Sequence, residues 1–254
     1  MGLKAFIFDV DGTLADTERD GHRPAFNAAF RELGLDWDWD VALYGKLLSV
    51  TGGKERIRYF VDAFLTGFAK PADFDELVAE LHRVKTRHYT EMLAAGGIPL
   101  RKGVKRLLDE AREAGVRLAI ATTTTPDNVI ALLQHSFAKD AESWFEVIAA
   151  GDIVPSKKPA PDVYLWALQK MGLDAAECMA FEDSENGLKS SRGAGLKTLV
   201  TVNDYTLDHD FSGALAVLSD LGEPGEPFRL LSGNATASEY VDLELLERGH
   251  ALTR

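Results

Sequence analysis

The chain has 254 residues, of which 46% are hydrophobic and 27% charged. That is enough to bury a full core plus a second, smaller domain, and too apolar for wholesale disorder. Its 28 Lys and Arg against 40 Asp and Glu leave a net charge of −12. This argues against nonspecific binding to nucleic acid or to an anionic membrane, and any anionic ligand requires positive charge gathered locally. The single cysteine, Cys178, excludes an intramolecular disulfide and suits a reducing compartment. With no signal peptide and no apolar run long enough to span a bilayer, the sequence predicts a cytoplasmic protein, taken to be a monomer.

The first apolar run, Ala5-Phe6-Ile7-Phe8, is short and continuous, as a strand buried on both faces should be, and it stops at Asp9. Residues 16–98 then read as helical only, with Ala25/Ala29/Leu33, Ile57/Phe60/Val61/Phe64 and Leu77/Leu81/Val84 at helical spacing. Gly96-Gly97-Ile98-Pro99 reads as the return hinge. Beyond it, helical stretches at 103–114, 126–137, 161–171 and 184–194 alternate with apolar runs at 116–121, 147–150, 178–181 and 196–200. Strand alternating with helix predicts an α/β protein with a Rossmann-like, doubly wound parallel sheet. The predicted core spans 1–15 and 99–254, with an α-helical cap of residues 16–98 inserted over the carboxyl edge of the sheet. Residues 222–233, rich in Gly, Pro and Glu, read as a loop, and 238–248 as a last helix with Ser238 as its N-cap.

The chemistry-bearing residues fall where strands end, the edge that forms the ligand crevice in open parallel sheets. Asp9-Val10-Asp11-Gly12-Thr13 sets two carboxylates at i and i+2, and Gly12 permits a tight turn. One can attack an electrophile while the other gives or takes a proton. In isolation such a stretch is more often a solvated turn. Its company changes the reading. Thr122 closes the second strand, and Thr123-Thr124-Thr125-Pro126 enters a helix with Thr125 at the cap, turning free backbone N–H groups toward the crevice. Lys158 lies in a segment stiffened by Pro159 and Pro161, and Glu182-Asp183 ends a further strand in adjacent carboxylates.

Taken in order, Asp-x-Asp-Gly-Thr-Leu, a strand-end Thr, Lys-Pro-Ala-Pro-Asp and Glu-Asp-Ser-x-x-Gly resemble the four motifs of the haloacid dehalogenase superfamily, over essentially the whole chain. The resemblance implies a nucleophilic Asp9 that forms an aspartyl-phosphate and an Asp11 that protonates the leaving oxygen and then activates water. It implies Thr122 and Lys158 on the transferring phosphoryl oxygens. It implies Mg2+ held by the Asp9 carboxylate, the Asp11 backbone carbonyl and the Asp183 carboxylate, with Glu182 as a ligand or just behind one. Asp11 also separates this chain from dehalogenases, which carry Asp-x-Tyr, and from phosphonoacetaldehyde hydrolases, which carry Asp-x-Ala.

Substrate choice should lie in the cap. Thr51-Gly52-Gly53-Lys54-Glu55-Arg56-Ile57-Arg58 sets cations just after a flexible Gly pair, and Lys85 lies on another cap helix. Lys54, Arg58 and Lys85 are therefore candidates for a second phosphate, with Thr123 and Thr124 as further substrate contacts, although surface helices carry such cations routinely. Residues 16–27 and 202–214 resemble the CbbY phosphatases. That resemblance implies removal of the 1-phosphate of xylulose-1,5-bisphosphate, a Rubisco inhibitor of the Calvin cycle, to give xylulose-5-phosphate. It also makes Glu18 a sugar-contacting acid. His22 reads as readily as a packed hinge histidine. Lys102 stands where members of that group carry Pro. The alternatives are a β-phosphoglucomutase-like mutase and a non-catalytic phosphosugar-binding regulator. A receiver-type signalling domain lacks both the Asp-x-Asp-Gly-Thr stretch and so large a helical insert.

Overall fold

The computed structural model describes residues 2–96, 98–233 and 238–252; Gly97 of the expected hinge lies outside them. The sheet is built from β1 (Ala5–Phe8), β2 (Arg117–Ala121), β3 (Val147–Ala149), β4 (Cys178–Glu182), β5 (Lys197–Thr201), β6 (Ala216–Leu218) and β7 (Leu230–Gly233). Its order is β3-β2-β1-β4-β5-β6-β7, with only the β6–β7 pair antiparallel. The chain winds outward from β1 through β2 to β3 and then crosses to β4 on the other side of β1. A crevice therefore opens at the carboxyl ends of β1 and its two neighbours.

Alternation along the strands sorts side chains between two cores. Phe6, Phe8, Leu118, Ile120, Met179 and Phe181 face one layer, which includes Leu107 and Leu108 of α5 (Val104–Glu113) and Leu132 of α6 (Pro126–Leu132). Ala5, Ile7, Ala119, Ala121, Cys178 and Ala180 face the other layer, with Val163, Tyr164 and Ala167 of α7 (Asp162–Met171). The large side chains thus fill one side, and small ones let α7 lie close on the other. Phe8 and Phe181 stack with centroids 4.3 Å apart, directly before the acids that end their strands.

Between β1 and α5 the chain forms α1 (Arg23–Glu32), α2 (Val41–Leu47), α3 (Gly53–Phe64) and α4 (Phe74–Ala94). These helices have a core of their own, built around Phe26, Phe30, Trp37, Trp39, Tyr44 and Phe60. Asn27 organises it: its amide oxygen accepts the Trp39 N–H at 2.8 Å and its amide nitrogen donates to the Trp39 carbonyl at 3.0 Å. Buried backbone groups in the α1–α2 loop are satisfied in this way. The chain leaves the sheet and returns to it side by side, where Ala15 and Leu100 form an antiparallel bridge.

Three expectations need correction. Residues 222–233 are not all loop, since Leu230–Gly233 forms β7; its residues are all exposed, so no buried period marks it in the sequence. The helix begun at Pro126 ends as an α-helix at Leu132 and continues as a wider turn, Leu133–Phe137. The last helix, α9 (Leu243–Leu252), starts later than Ser238. Asp242 supplies the cap, accepting the Leu245 N–H at 2.7 Å, while the Ser238 hydroxyl turns to the Tyr240 carbonyl. Among the described residues no helix is long and apolar enough to cross a membrane.

Trp39 is fully buried and touches four other aromatic rings. Trp39→Ala should lower unfolding free energy by about 3–5 kcal/mol, read by urea titration followed by circular dichroism. A loss well under that range would mean the insert closes around the hole.

Candidate active site

Asp9 is the first residue past β1, and its N–H donates to the Phe181 carbonyl at 3.0 Å, which ties it to the end of β4. Because β1 and β4 are neighbours, Asp9, Glu182 and Asp183 come together: one oxygen from each lies within 4.8 Å of the others. Lys158, brought in by the segment after β3, is buried among them. Its Nζ donates to Asp9 Oδ1 and to Glu182 Oε1, both at 2.6 Å. The Tyr164 hydroxyl, from α7, donates to the same Glu182 oxygen at 2.6 Å. Glu182 Oε2 sits over Gly187, where any Cβ would lie 1.8 Å away. Its oxygens thus serve Lys158 and Tyr164 and are walled in by α8 (Glu185–Gly193). Asp183 Oδ2 accepts from Asn203 Nδ2 at 2.6 Å.

The charges do not cancel. Burial, reinforced by Glu182 and Asp11, pushes the Asp9 carboxyl up to about 8 against the pull of Lys158. Burial and the neighbouring Asp9 and Glu182 hold Asp183 well above the usual carboxylate range. Burial works against the Lys158 ammonium, but Asp9 and Glu182 outweigh it and raise its pKa. Asp9, Glu182 and Asp183 cluster with one lysine, so the acids of the group outnumber its base. Asp9 and Asp183, hard oxygen donors at one edge, fit a small divalent cation.

Asp11 is held differently. Thr17 donates to its Oδ1 at 2.5 Å, and His22 Nε2 stands 2.7 Å from the same oxygen. Behind His22, Lys85 Nζ lies 2.8 Å from Nδ1. An ammonium can only donate, so Nδ1 accepts and the ring proton on Nε2 points at Asp11. Burial alone would raise Asp11, but His22 and Thr17 outweigh it and hold the carboxyl below the usual range. Glu18 is fixed in turn: the Tyr44 hydroxyl donates to it, and Arg56 donates to Tyr44 at 2.7 Å while lying 3.5 Å from Glu18.

These groups open on a cavity of about 240 Å³ whose lining includes Asp9, Asp11, Glu18, Thr122, Thr123, Lys158 and Asp183. A small annex of about 40 Å³ adds Lys85 and Thr124 beside Asp11 and Glu18. Lys54 and Arg58 line neither. Lys54 reaches Asp152 at 3.1 Å, across to the loop after β3, and Arg58 pairs with Asp75 at 2.9 Å on the outer face. Glu182 lies beneath the cavity, not on its wall. Thr125 takes the cap position of α6, but its hydroxyl makes no cap bond. Several contributors were not singled out in the sequence. Asn203 follows β5 and repeats the strand-end rule, so its position was a usable signal. Tyr44, Arg56 and Tyr164 sit inside helices and carry none.

The sequence pattern of haloacid dehalogenase-like hydrolases matches residues 3–195. The chain belongs to that family. Protein CbbY from Cupriavidus necator is 49% identical over 248 residues, covering 98% of this chain and 97% of that one. Protein CbbY from Rhodobacter capsulatus is 52% identical over 221 residues, covering 87% and 95%. The crystal structure of a mutant CbbY from Rhodobacter sphaeroides, in complex with xylulose-(1,5)bisphosphate, superposes with a TM-score of 0.80 at 45% identity, covering 86% of this chain and 94% of that one. Within the haloacid dehalogenase-like hydrolases, this chain is a phosphoric monoester hydrolase.

Lys85 gives a pH test of the annex. Burial pushes its ammonium down to about 8, from an ordinary value of 10.5. The unfolded chain keeps the proton up to the higher value, so folding releases it in that window and stability rises with pH there. Lys85→Met should remove this rise, on the order of 3 kcal/mol between pH 8 and 10.5. Urea titrations of both proteins across that range measure it. Parallel pH profiles would show that Lys85 is solvated.

Proposed function

We propose that this chain removes the 1-phosphate of xylulose-1,5-bisphosphate, giving xylulose-5-phosphate and inorganic phosphate, through an aspartyl-phosphate on Asp9. The observation that carries the reading is the wall of the cavity. Asp9 stands there beside Lys158 and Asp183 with Asp11 on the same turn, in a chain 45% identical to a protein crystallised with that bisphosphate.

A Mg2+ ion would be held by the Asp9 and Asp183 carboxylates and the Asp11 backbone carbonyl, with Glu182 turned to Lys158; once bound it would offset carboxylate and phosphate charge. Asp9 attacks phosphorus, the bond from phosphorus to the sugar C1 oxygen breaks, and Asp11 gives that oxygen its proton. An arriving phosphate dianion disfavours the ionised form of Asp11, so the carboxyl takes up from solvent a proton that it would not hold beside His22 and Thr17 alone. Asp11 then takes a proton from water as it attacks phosphorus, and the bond to Asp9 breaks. Lys158 and Thr122 hold the phosphoryl oxygens throughout. Residues 16–98 act as the cap that selects the sugar. Glu18, locked by Tyr44 and Arg56, serves as a fixed acceptor for a sugar hydroxyl. Lys158 and Arg56 both line the cavity, two cations for a substrate with two phosphates. Lys54, tied to Asp152, joins the cap to the sheet. The single cysteine suits the reducing cytoplasm, and the chain is taken to work there as a monomer.

Asp9→Asn should abolish turnover with the fold intact, because an amide is a very poor nucleophile. With native circular dichroism, activity above about one per cent of wild type would rule out the covalent route.

Xylulose-1,5-bisphosphate should exceed its C3 epimer ribulose-1,5-bisphosphate in kcat/KM by about a hundredfold or more, since a hydroxyl that leaves a buried polar group unpaired is strongly rejected. Phosphate release on the two purified epimers, with no bisphosphate activator added, measures this. Comparable values sink the substrate assignment. Sugar phosphate isomerised without release of phosphate identifies a β-phosphoglucomutase-like mutase, and binding without any turnover identifies a phosphosugar-binding regulator.

A further inference from the structure

Arg101 enters the sheet region where the chain returns from the helical insert, and its backbone N–H donates to the Leu14 carbonyl at 2.9 Å. Its guanidinium is buried, yet among the described residues the carboxylate it pairs with is Asp16, 3.5 Å from Nε. The fork instead collects four backbone carbonyls from three segments. One is that of Gly12; the others are Thr201 at 3.2 Å, Val202 at 2.5 Å and Ser219 at 2.9 Å. These are the turn after β1 and the ends of β5 and β6.

Gly12 is where such a grip matters. Its φ is +86°, and a Cβ there would lie 2.3 Å from Asp183 Oδ2 and 2.6 Å from Asn203 Nδ2. The turn that carries Asp9 and Asp11 is thus wedged between Asp183 on one side and Arg101 on the other. Arg101 does not line the Asp9 cavity. It lines a separate cavity of about 450 Å³ on the far side of the turn, together with Gly12 and Asp16. Its charge reaches Asp183 through space and partly offsets the rise of that carboxyl, while its hydrogen bonds act on the turn through the backbone.

We infer that Arg101 is a positioning residue: its guanidinium clamps the Gly12 carbonyl to the ends of β5 and β6 and so sets the distance from the Asp9–Asp11 turn to Asp183. A planar fork with five donors can hold four carbonyls from three segments, more than the three donors of an ammonium can serve. The clamp rests on the proposed roles of Asp9, Asp11 and Asp183. It differs from a general staple in that the groups it registers are the two sides of one reaction centre, where a small displacement costs far more than it does elsewhere.

The test uses Arg101→Lys and Arg101→Ala in the full chain. Hydrogen–deuterium exchange of residues 9–14 in metal-free protein should quicken in both variants, while α7 stays as in wild type. kcat should fall about a hundredfold with KM little changed. Mg2+ should bind more weakly by calorimetry, and millimolar guanidinium should restore part of the kcat of Arg101→Ala. Unchanged exchange at 9–14, or a lowered melting temperature with kcat intact well below it, overturns the inference. If Arg101→Ala does not fold, Arg101→Lys is read by the same criteria; failure of both to fold makes Arg101 a folding residue and overturns it too. The exchange readout separates this inference from the functional one. An active Asp9→Asn defeats the phosphatase mechanism, whereas exchange in metal-free protein still judges the clamp.

Discussion

Lys158 is the residue on which the arrangement depends. Its ammonium is buried against Asp9 and Glu182, and neither carboxylate has comparable relief among the described contacts. A lone buried charge costs several kcal/mol, so the three hold one another in place. The sheet makes the meeting possible: β1 and β4 are neighbours, and the segment after β3 bends back over their ends. Tyr164 completes the set from beneath, giving Glu182 a second donor and leaving it to anchor the lysine. Removing Lys158 would leave two acids buried and opposed, so its loss should not be confused with loss of a substrate contact.

The two carboxylates of the first turn differ because different parts of the chain supply their neighbours. Asp9 meets Lys158 from the segment after β3 and Glu182 and Asp183 from the end of β4. Asp11, two positions on, meets Thr17 and His22 from the start of the helical insert, with Lys85 of α4 behind them. One acid is pushed up by burial and like charge, and the other is held down by two donors. That order is the reverse of the one in which Asp9 attacks and Asp11 gives a proton, so the proposed chemistry needs a cation beside Asp9 and a phosphate beside Asp11 to invert it.

Much of this could be read from the sequence because the polar groups sit at strand ends, and a strand end is a local event. Asp9, Thr122 and Asp183 each close a short apolar run, and those runs are the strands observed. Where a side chain's direction depends on docking, the sequence is mute. Lys54 and Arg58 share α3 with Arg56, yet only Arg56 faces the cavity, because the insert rests on the sheet with that face inward. Tyr164 reads as a core aromatic, which it also is. Arg101 lies in a return segment that says nothing of the four carbonyl groups awaiting it. β7 escaped notice because an exposed edge strand has no buried face to give it a period.

The helical insert has its own aromatic core, and its entry and exit lie side by side at Ala15 and Leu100. Such an attachment resembles a plug on a two-wire lead: most of the insert could drift in sequence, or be exchanged, without disturbing the sheet. The exchange is not free, however. Thr17 and His22 lie on the insert side of the joint, and they donate to an acid on the sheet side. Any replacement must bring its own hydroxyl and imidazole, or their chemical equivalents, to within hydrogen-bond reach of Asp11. Diversification of the insert is therefore restricted most at its first turn, closest to the joint, and least at its outer helices.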